Sequence, residues 1–223
     1  MKEEMIQFSY ERLLPSVDLQ ALKINADILE VRRFFAKCVP IRGLMRYYDE
    51  NDARNGVIRI CRDQFCFQDD SLSCEVLKEF SSCRVKSGLV YLITCGSESY
   101  QHYGIGEMNY HFIQNACMDL ARNMILKNCR LYTYEEQNKS ESIWTTKVFG
   151  PGYYGMPLEE GRKLHTLLDG ERIGVSYQGA MLMPLKSSIG FAFSYQAKEQ
   201  VVVNACDYCQ AAVKECNYCG GRT

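Results

Sequence analysis

Five consecutive apolar residues, Leu89-Val90-Tyr91-Leu92-Ile93, constrain the fold more than any other stretch of the chain. A run without polar alternation offers no face to water, so it predicts a strand covered on both sides at the centre of a sheet. No uninterrupted apolar stretch approaches the ~20 residues needed to span a bilayer, so a membrane is not an expected partner. The chain must cover this strand with its own elements. Its 223 residues, 47% of them apolar and 24% charged, suffice for one substantial core.

Around that strand the pattern alternates between helices and short extended runs. Asp18 is a candidate N-cap for a helix over about 19 to 38, with Leu22, Ala26, Leu29 and Phe34 as its apolar face and Pro40 closing it. Leu44 to Tyr48, Val57 to Cys61 and Gln64 to Gln68 read as an antiparallel meander, with Asn55-Gly56 its sharpest turn signal. Leu72, Val76, Leu77 and Phe80 fit one helix. Tyr110 to Lys127 is the clearest amphipathic helix, with Ile113, Cys117, Leu120 and Met124 on one side and Asn115, Asp119 and Arg122 opposite. The polar stretch from Tyr134 to Thr146 predicts a surface loop, and Pro157 a helix start carrying Leu158, Leu164 and Leu168. Gly190 to Tyr195 and Gln200 to Val203 read as strands.

The charge balance narrows the partners. A formal net charge of −1 supplies no long-range basic field, so affinity driven by phosphate neutralisation, and with it a nucleic-acid partner, is not expected. The charged start Met1-Lys2-Glu3-Glu4 lacks an apolar signal core, which places the expected location in the cytoplasm. Twelve cysteines in such a compartment are expected to be mostly reduced, either packed as small apolar groups or used as metal ligands.

Gly150-Pro151-Gly152-Tyr153-Tyr154-Gly155 is the sharpest turn of the last third. Proline fixes one backbone angle, while the flanking glycines permit left-handed conformations and close approach of a ligand to the main chain. Taken alone, the motif reads equally as a tight connection between a loop and a helix. Its context adds more: Pro157-Leu158, Leu167-Leu168, Ile173-Gly174-Val175, then Met183-Pro184-Leu185-Lys186-Ser187-Ser188-Ile189-Gly190. In this order the residues resemble the reactivation domain of cobalamin-dependent methionine synthase. The family's Arg-x-x-x-Gly-Tyr motif matches at Gly152-Tyr153, and its Pro-x-x-Ser segment at Pro184 and Ser187. The order of elements from Asp18 to Lys127 also resembles shorter, freestanding relatives of that domain.

The resemblance implies an α+β fold with a curved, mainly antiparallel sheet and flanking helices over residues 1–203. It also implies binding of S-adenosylmethionine, whose methyl group goes to a reduced cobalamin, and a corrinoid protein or corrinoid-dependent methyltransferase as partner. Because the nucleophile belongs to the corrinoid, the protein's part is positioning, and no catalytic dyad is expected. Tyr153 is expected to stack on or hydrogen-bond to the ligand. The sequence departs from the family where the ligand's charges are met. Val148 holds the arginine position, and Lys147 is the neighbouring cation, able to neutralise a carboxylate but not to reproduce the planar arginine fork. Glu141 and Asp119 are the candidate acids for the ligand's amino group, or else solvated surface charges.

Residues 204–223 form a separate tail in which Cys206-x-x-Cys209 and Cys216-x-x-Cys219 are separated by six residues. That spacing lets four thiolates converge on one tetrahedral metal. Zinc comes first and a 4Fe–4S cluster second, with reduced or disulfide-paired thiols as the remaining alternative. A closed four-cysteine zinc site holds a small element together, whereas a cluster would pass on a low-potential electron. The remaining cysteines, including Cys61 with Cys66 and Cys117 with Cys129, lack ligand spacing and are expected in the core. His102, His111 and His165 do not cluster, and His165 is expected on a helix surface. Two alternatives stand beside the reactivation-type function: a non-catalytic module that docks on a corrinoid protein, and a metal-stabilised interaction or electron-transfer protein that does not bind S-adenosylmethionine.

Overall fold

The structure, a computed structural model, describes residues 1–68, 70–96, 107–128 and 142–209. The apolar run at 89–93 lies within β6 (Arg84–Thr94), the middle strand of a five-stranded sheet. Its neighbours are β2 (Ile41–Tyr48) on one side and β10 (Ser187–Gln196) on the other. β1 (Lys2–Phe8) and β7 (Ile143–Thr145) form the edges, giving the order β1-β2-β6-β10-β7, antiparallel throughout. A bulge between Ser194 and Tyr195 re-aims the end of β10.

Alternation along β6 explains why its sequence has no polar face. Leu89, Tyr91 and Ile93 enter one core, with Phe8, Val31, Phe35, Ile113, Cys117 and Ile125. Val90 and Leu92 enter the other, with Phe65, Phe80, Phe149, Leu164, Phe191 and Phe193. The first core is roofed by α1 (Tyr10–Leu13), α2 (Ile28–Phe35) and α4 (Glu107–Asn128). The second is roofed by the small sheet β3 (Ile58–Cys61), β4 (Gln64–Phe67) and β5 (Asp70–Ser73), by the 3-10 helix Glu75–Phe80, and by α5 (Glu160–Leu168). This is the expected α+β class, a mainly antiparallel sheet with flanking helices. The short α3 (Glu50–Arg54) and the hairpin β8 (Ser176–Gln178) and β9 (Met181–Met183) complete it.

Several local expectations are corrected. The helix over 19 to 38 shrinks to α2, because Asp27 caps it through Leu29 N at 2.9 Å. Asp18 instead caps a single turn through Gln20 N and Ala21 N, both at 3.0 Å. Leu72 belongs to β5, and the helix after it is a 3-10 segment. α5 begins at Glu160, three residues beyond Pro157. Within the expected loop, Ile143–Thr145 pairs with β10; residues 134–141 lie outside the described residues. Gln200 to Val203 is not a strand: Val201 N is bonded to the Tyr195 hydroxyl at 3.0 Å. The N-terminal strand β1 is not among the strands expected from the sequence pattern. Among the described residues no helix is long and apolar enough to cross a membrane.

Candidate functional site

Behind β7 the chain continues along β10, with Phe149 and Phe191 exchanging backbone hydrogen bonds of 2.8 Å each. Gly150-Pro151-Gly152-Tyr153 then reverses it. Tyr153 N bonds to Gly150 O at 3.0 Å, and Gly152 takes φ +81, the left-handed third position of a type II turn behind a proline. Gly152 N to Met156 O and Met156 N to Tyr153 O lock the rest of the loop. The turn leaves Tyr153 67% exposed, while the Tyr154 ring stands edge-on to Phe149 at 5.1 Å.

One face of this turn lines a cleft of about 500 Å³. Beside it, Gly190 allows a close approach of the chain. A Cβ on Gly190 would stand 2.5 Å from Phe149 O, 3.1 Å from Val148 Cγ1 and 3.3 Å from the Tyr91 hydroxyl. Without one, the Tyr91 hydroxyl and Val148 reach the cavity. The opposite wall is the segment Leu185–Ile189, and Tyr177, Met181 and Leu182 of the β8–β9 hairpin form a third side. Tyr177 is fixed by donating to Leu158 O at 2.6 Å. Pro184 and Ser187 form a closed unit: the Ser187 hydroxyl donates to Pro184 O at 2.7 Å and lies 2.8 Å from Thr94 Oγ1. The Met183–Pro184 peptide is cis.

The electrostatics of the cleft come from α4. Arg122 is the one charged side chain among the described residues lining it. Its Nη2 lies 3.1 Å from Asp119 Oδ1, while its Nε is buried without a hydrogen-bond partner among the described residues. Burial pushes the Tyr91 phenol up from its ordinary range, opposed by hydrogen bonds with Ser188 and Arg122. No carboxylate, histidine or thiol is among the described residues lining the cleft. Tyrosine rings, aliphatic walls, two serine hydroxyls and one guanidinium suit a ligand with a flat or apolar body and one anionic end. They suit binding more than acid–base chemistry.

A second hollow of about 430 Å³ shares Leu185 and Ser187 with the first and continues along α4 past His111, Asn115 and Met118. Lys186 donates there to Asn115, and burial pushes its ammonium down from the ordinary lysine range.

Of the residues singled out in the sequence, Gly152 belongs to the turn, Tyr153 lines the cleft, and Asp119 is joined to it through Arg122. Lys147 is exposed; Val148, not Lys147, contributes to the lining. Glu141, Cys216, Cys219, His102 and Cys129 lie outside the described residues. Cys206 and Cys209 end the described chain. Cys206 stands close enough to Tyr154 for its charge to raise that phenol's pKa further, after burial, and the Tyr208 hydroxyl bonds to Glu79 at 3.1 Å. The start of the tail therefore packs on the second core, with Tyr208 and Tyr154 both among its partly buried residues. Among the described residues no three His, Cys, Asp or Glu side chains converge as a metal site.

Two expectations fail. His165 is 9% exposed, with Nε2 2.7 Å from Val175 O, because Gly170 leaves room for its ring. Cys61 is exposed on β3, beside Arg59 and the buried Cys66. Arg122 is the residue that spacing alone missed. It falls on the polar stripe of α4, but only the fold, which sets that helix over β6 and β2, places it at a ligand-sized cavity.

The fold is similar to a solved structure described as the MetH reactivation domain bound to AdoHcy, S-adenosylhomocysteine. The TM-score is 0.58 with 13% identity, over 90% of this chain and 80% of that chain, so the likeness is one of fold. No protein-family model and no curated protein matches the sequence.

Proposed function

We propose that this chain is a freestanding relative of the methionine synthase reactivation domain. It binds S-adenosylmethionine in the cleft and assists reductive remethylation of a corrinoid cofactor on a partner methyltransferase or corrinoid protein. One observation carries this reading: the turn that bears the sequence resemblance, Gly150 to Gly155, walls a cleft of about 500 Å³ in a fold similar to a domain solved with S-adenosylhomocysteine. That volume is in the range of small-molecule sites, roughly 300–1,000 Å³.

The residues present fit such a ligand. Tyr153 is exposed at the rim for stacking on a purine, and the left-handed Gly152 keeps the main chain open to close approach. The corrinoid, held by the partner, supplies the nucleophile that accepts the methyl group. This chain orients the sulfonium and keeps water from it. The exposed Leu158, Met181 and Leu185 around the mouth form an apolar rim for the partner. Calorimetric titration with S-adenosylmethionine tests the reading: a saturable heat that Tyr153→Ala reduces supports it. No heat at millimolar ligand refutes it, and capture of a corrinoid protein without such heat leaves the docking-only alternative in its place.

The position of Cys206 beside Tyr154 favours an added structural role for the tail. Cys206, Cys209, Cys216 and Cys219 would hold zinc, or a 4Fe–4S cluster. Metal analysis after anaerobic purification separates the two: a colourless protein with stoichiometric zinc excludes the cluster.

A further inference from the structure

We infer that Arg122 anchors the carboxylate of the ligand's amino-acid end, taking from α4 the charge that Val148 does not supply from the turn; the inference rests on the reading of the cleft above. S-Adenosylmethionine and S-adenosylhomocysteine each carry a carboxylate and an ammonium on the same carbon, so a cleft that binds them needs a cation for the first. Arg122 is the one charged side chain among the described residues lining the cleft, and Lys147 is not part of that lining.

The local geometry favours a planar anion at this position. A guanidinium has five N–H donors in a rigid fork. Asp119 Oδ1 takes one of them at Nη2, 3.1 Å away, and the positive charge opposes the rise that burial gives the Tyr91 phenol. Nε is buried without a hydrogen-bond partner among the described residues, while the side chain as a whole is 31% exposed and lines the cleft. The donors that Asp119 leaves on the two terminal nitrogens are the ones that a carboxylate in the cleft would meet with two parallel bonds. Asp119 lies one helical turn before Arg122 and is 62% exposed, so it is free to meet the ligand's ammonium while its partner takes the carboxylate. The acid that would face the other charge of the zwitterion thus also holds Arg122 in place. Val148 leaves the turn side apolar, against the body of the ligand.

The test compares S-adenosylhomocysteine with 5′-methylthioadenosine, which has the same nucleoside thioether but no amino-acid group, by calorimetry on the full chain. Wild type should bind S-adenosylhomocysteine more tightly. Arg122→Ala should weaken S-adenosylhomocysteine by about 10- to 100-fold, the range of a charge-assisted hydrogen bond, and leave 5′-methylthioadenosine within about twofold. Lys147→Ala should change neither. Retained nucleoside binding shows that the variant is folded; should the alanine variant not fold, Arg122→Gln, which keeps hydrogen-bonding capacity without charge, carries the same expectation. Equal loss of both ligands, no loss, or a loss at Lys147→Ala instead overturns the inference while leaving the cleft reading intact. Failure of wild type to bind either ligand overturns both.

Discussion

Lys186 donates to the side-chain oxygen of Asn115, fastening the entry to β10 to the polar stripe of α4. The contact joins the two hollows into one groove, because Leu185 and Ser187 on either side of Lys186 line both. Removing the acceptor with Asn115→Ala should cost about 1 kcal/mol, the net worth of a hydrogen bond at a partly exposed site. Lys186→Met combined with Asn115→Ala should cost less than the sum of the single changes, since no ammonium is then left without its acceptor. Urea unfolding of the four proteins measures this, and strict additivity would contradict the coupling.

Two glycines beside the cleft are required for different reasons. Gly190→Ala would place a Cβ 2.5 Å from Phe149 O, a backbone atom fixed by the Phe149–Phe191 bridge, so a loss of about 1–3 kcal/mol is expected. Gly152→Ala meets only Leu158 Cδ2 at 3.2 Å but must hold φ +81, and should cost about 1 kcal/mol. Thermal unfolding that ranks Gly152→Ala as the more damaging change would show that the close approach at Gly190 relaxes.

Glu3 should shape the acid limb of stability. Its carboxylate is held below the ordinary range, first by the hydrogen bond from Arg46 at 2.7 Å and also by Arg172, with burial working in the opposite sense. The folded state therefore binds this proton less readily than the unfolded state. The contribution is complete above the unfolded carboxylate value and is lost as pH falls through the lower, folded one. Glu3→Gln should reduce stability at neutral pH by about 0.5–1 kcal/mol and flatten the acid limb; an unchanged slope in a pH series of denaturation midpoints would contradict this.

Thiol reactivity should follow exposure and charge. Cys61 is exposed, and its thiol is shifted down by Arg59 first and then by Cys66. Burial pushes Cys74, Cys95 and Cys117 up to about 12. In a time course of iodoacetamide labelling read by peptide mass, Cys61 should react before those three, and Arg59→Ala should slow it. Faster labelling of Cys95 or Cys117 would mean that the first core opens more readily than its burial implies.

What was legible in the sequence follows from how each signal arises. Leu89 to Ile93 announced β6 because a strand buried on both faces leaves no polar residue to confuse the period. Gly150 to Gly155 announced its turn because proline and left-handed glycines leave few conformations. β1 was hidden because it is an edge strand whose Lys2, Glu3 and Glu4 are satisfied by ion pairs, such as Glu3 with Arg46, rather than by apolar alternation. The helix expected over 19 to 38 was overextended because Asp18 and Asp27 both carry capping chemistry, and only packing selects Asp27. Arg122 could be placed on a polar face by counting along α4, but a polar face is ordinarily solvent. Its meeting with Tyr91, Val148 and Ser188 is made by strands far apart in sequence.

The central claim is that this cleft receives an S-adenosyl ligand, and the most direct measurement is a crystal structure of the full chain grown with saturating S-adenosylhomocysteine. The account predicts the nucleoside thioether between Tyr153 and the Leu185–Ile189 segment, with a carboxylate oxygen about 3 Å from the Arg122 guanidinium. Ligand bound elsewhere on the chain, or a cleft without ligand at saturation, would contradict it.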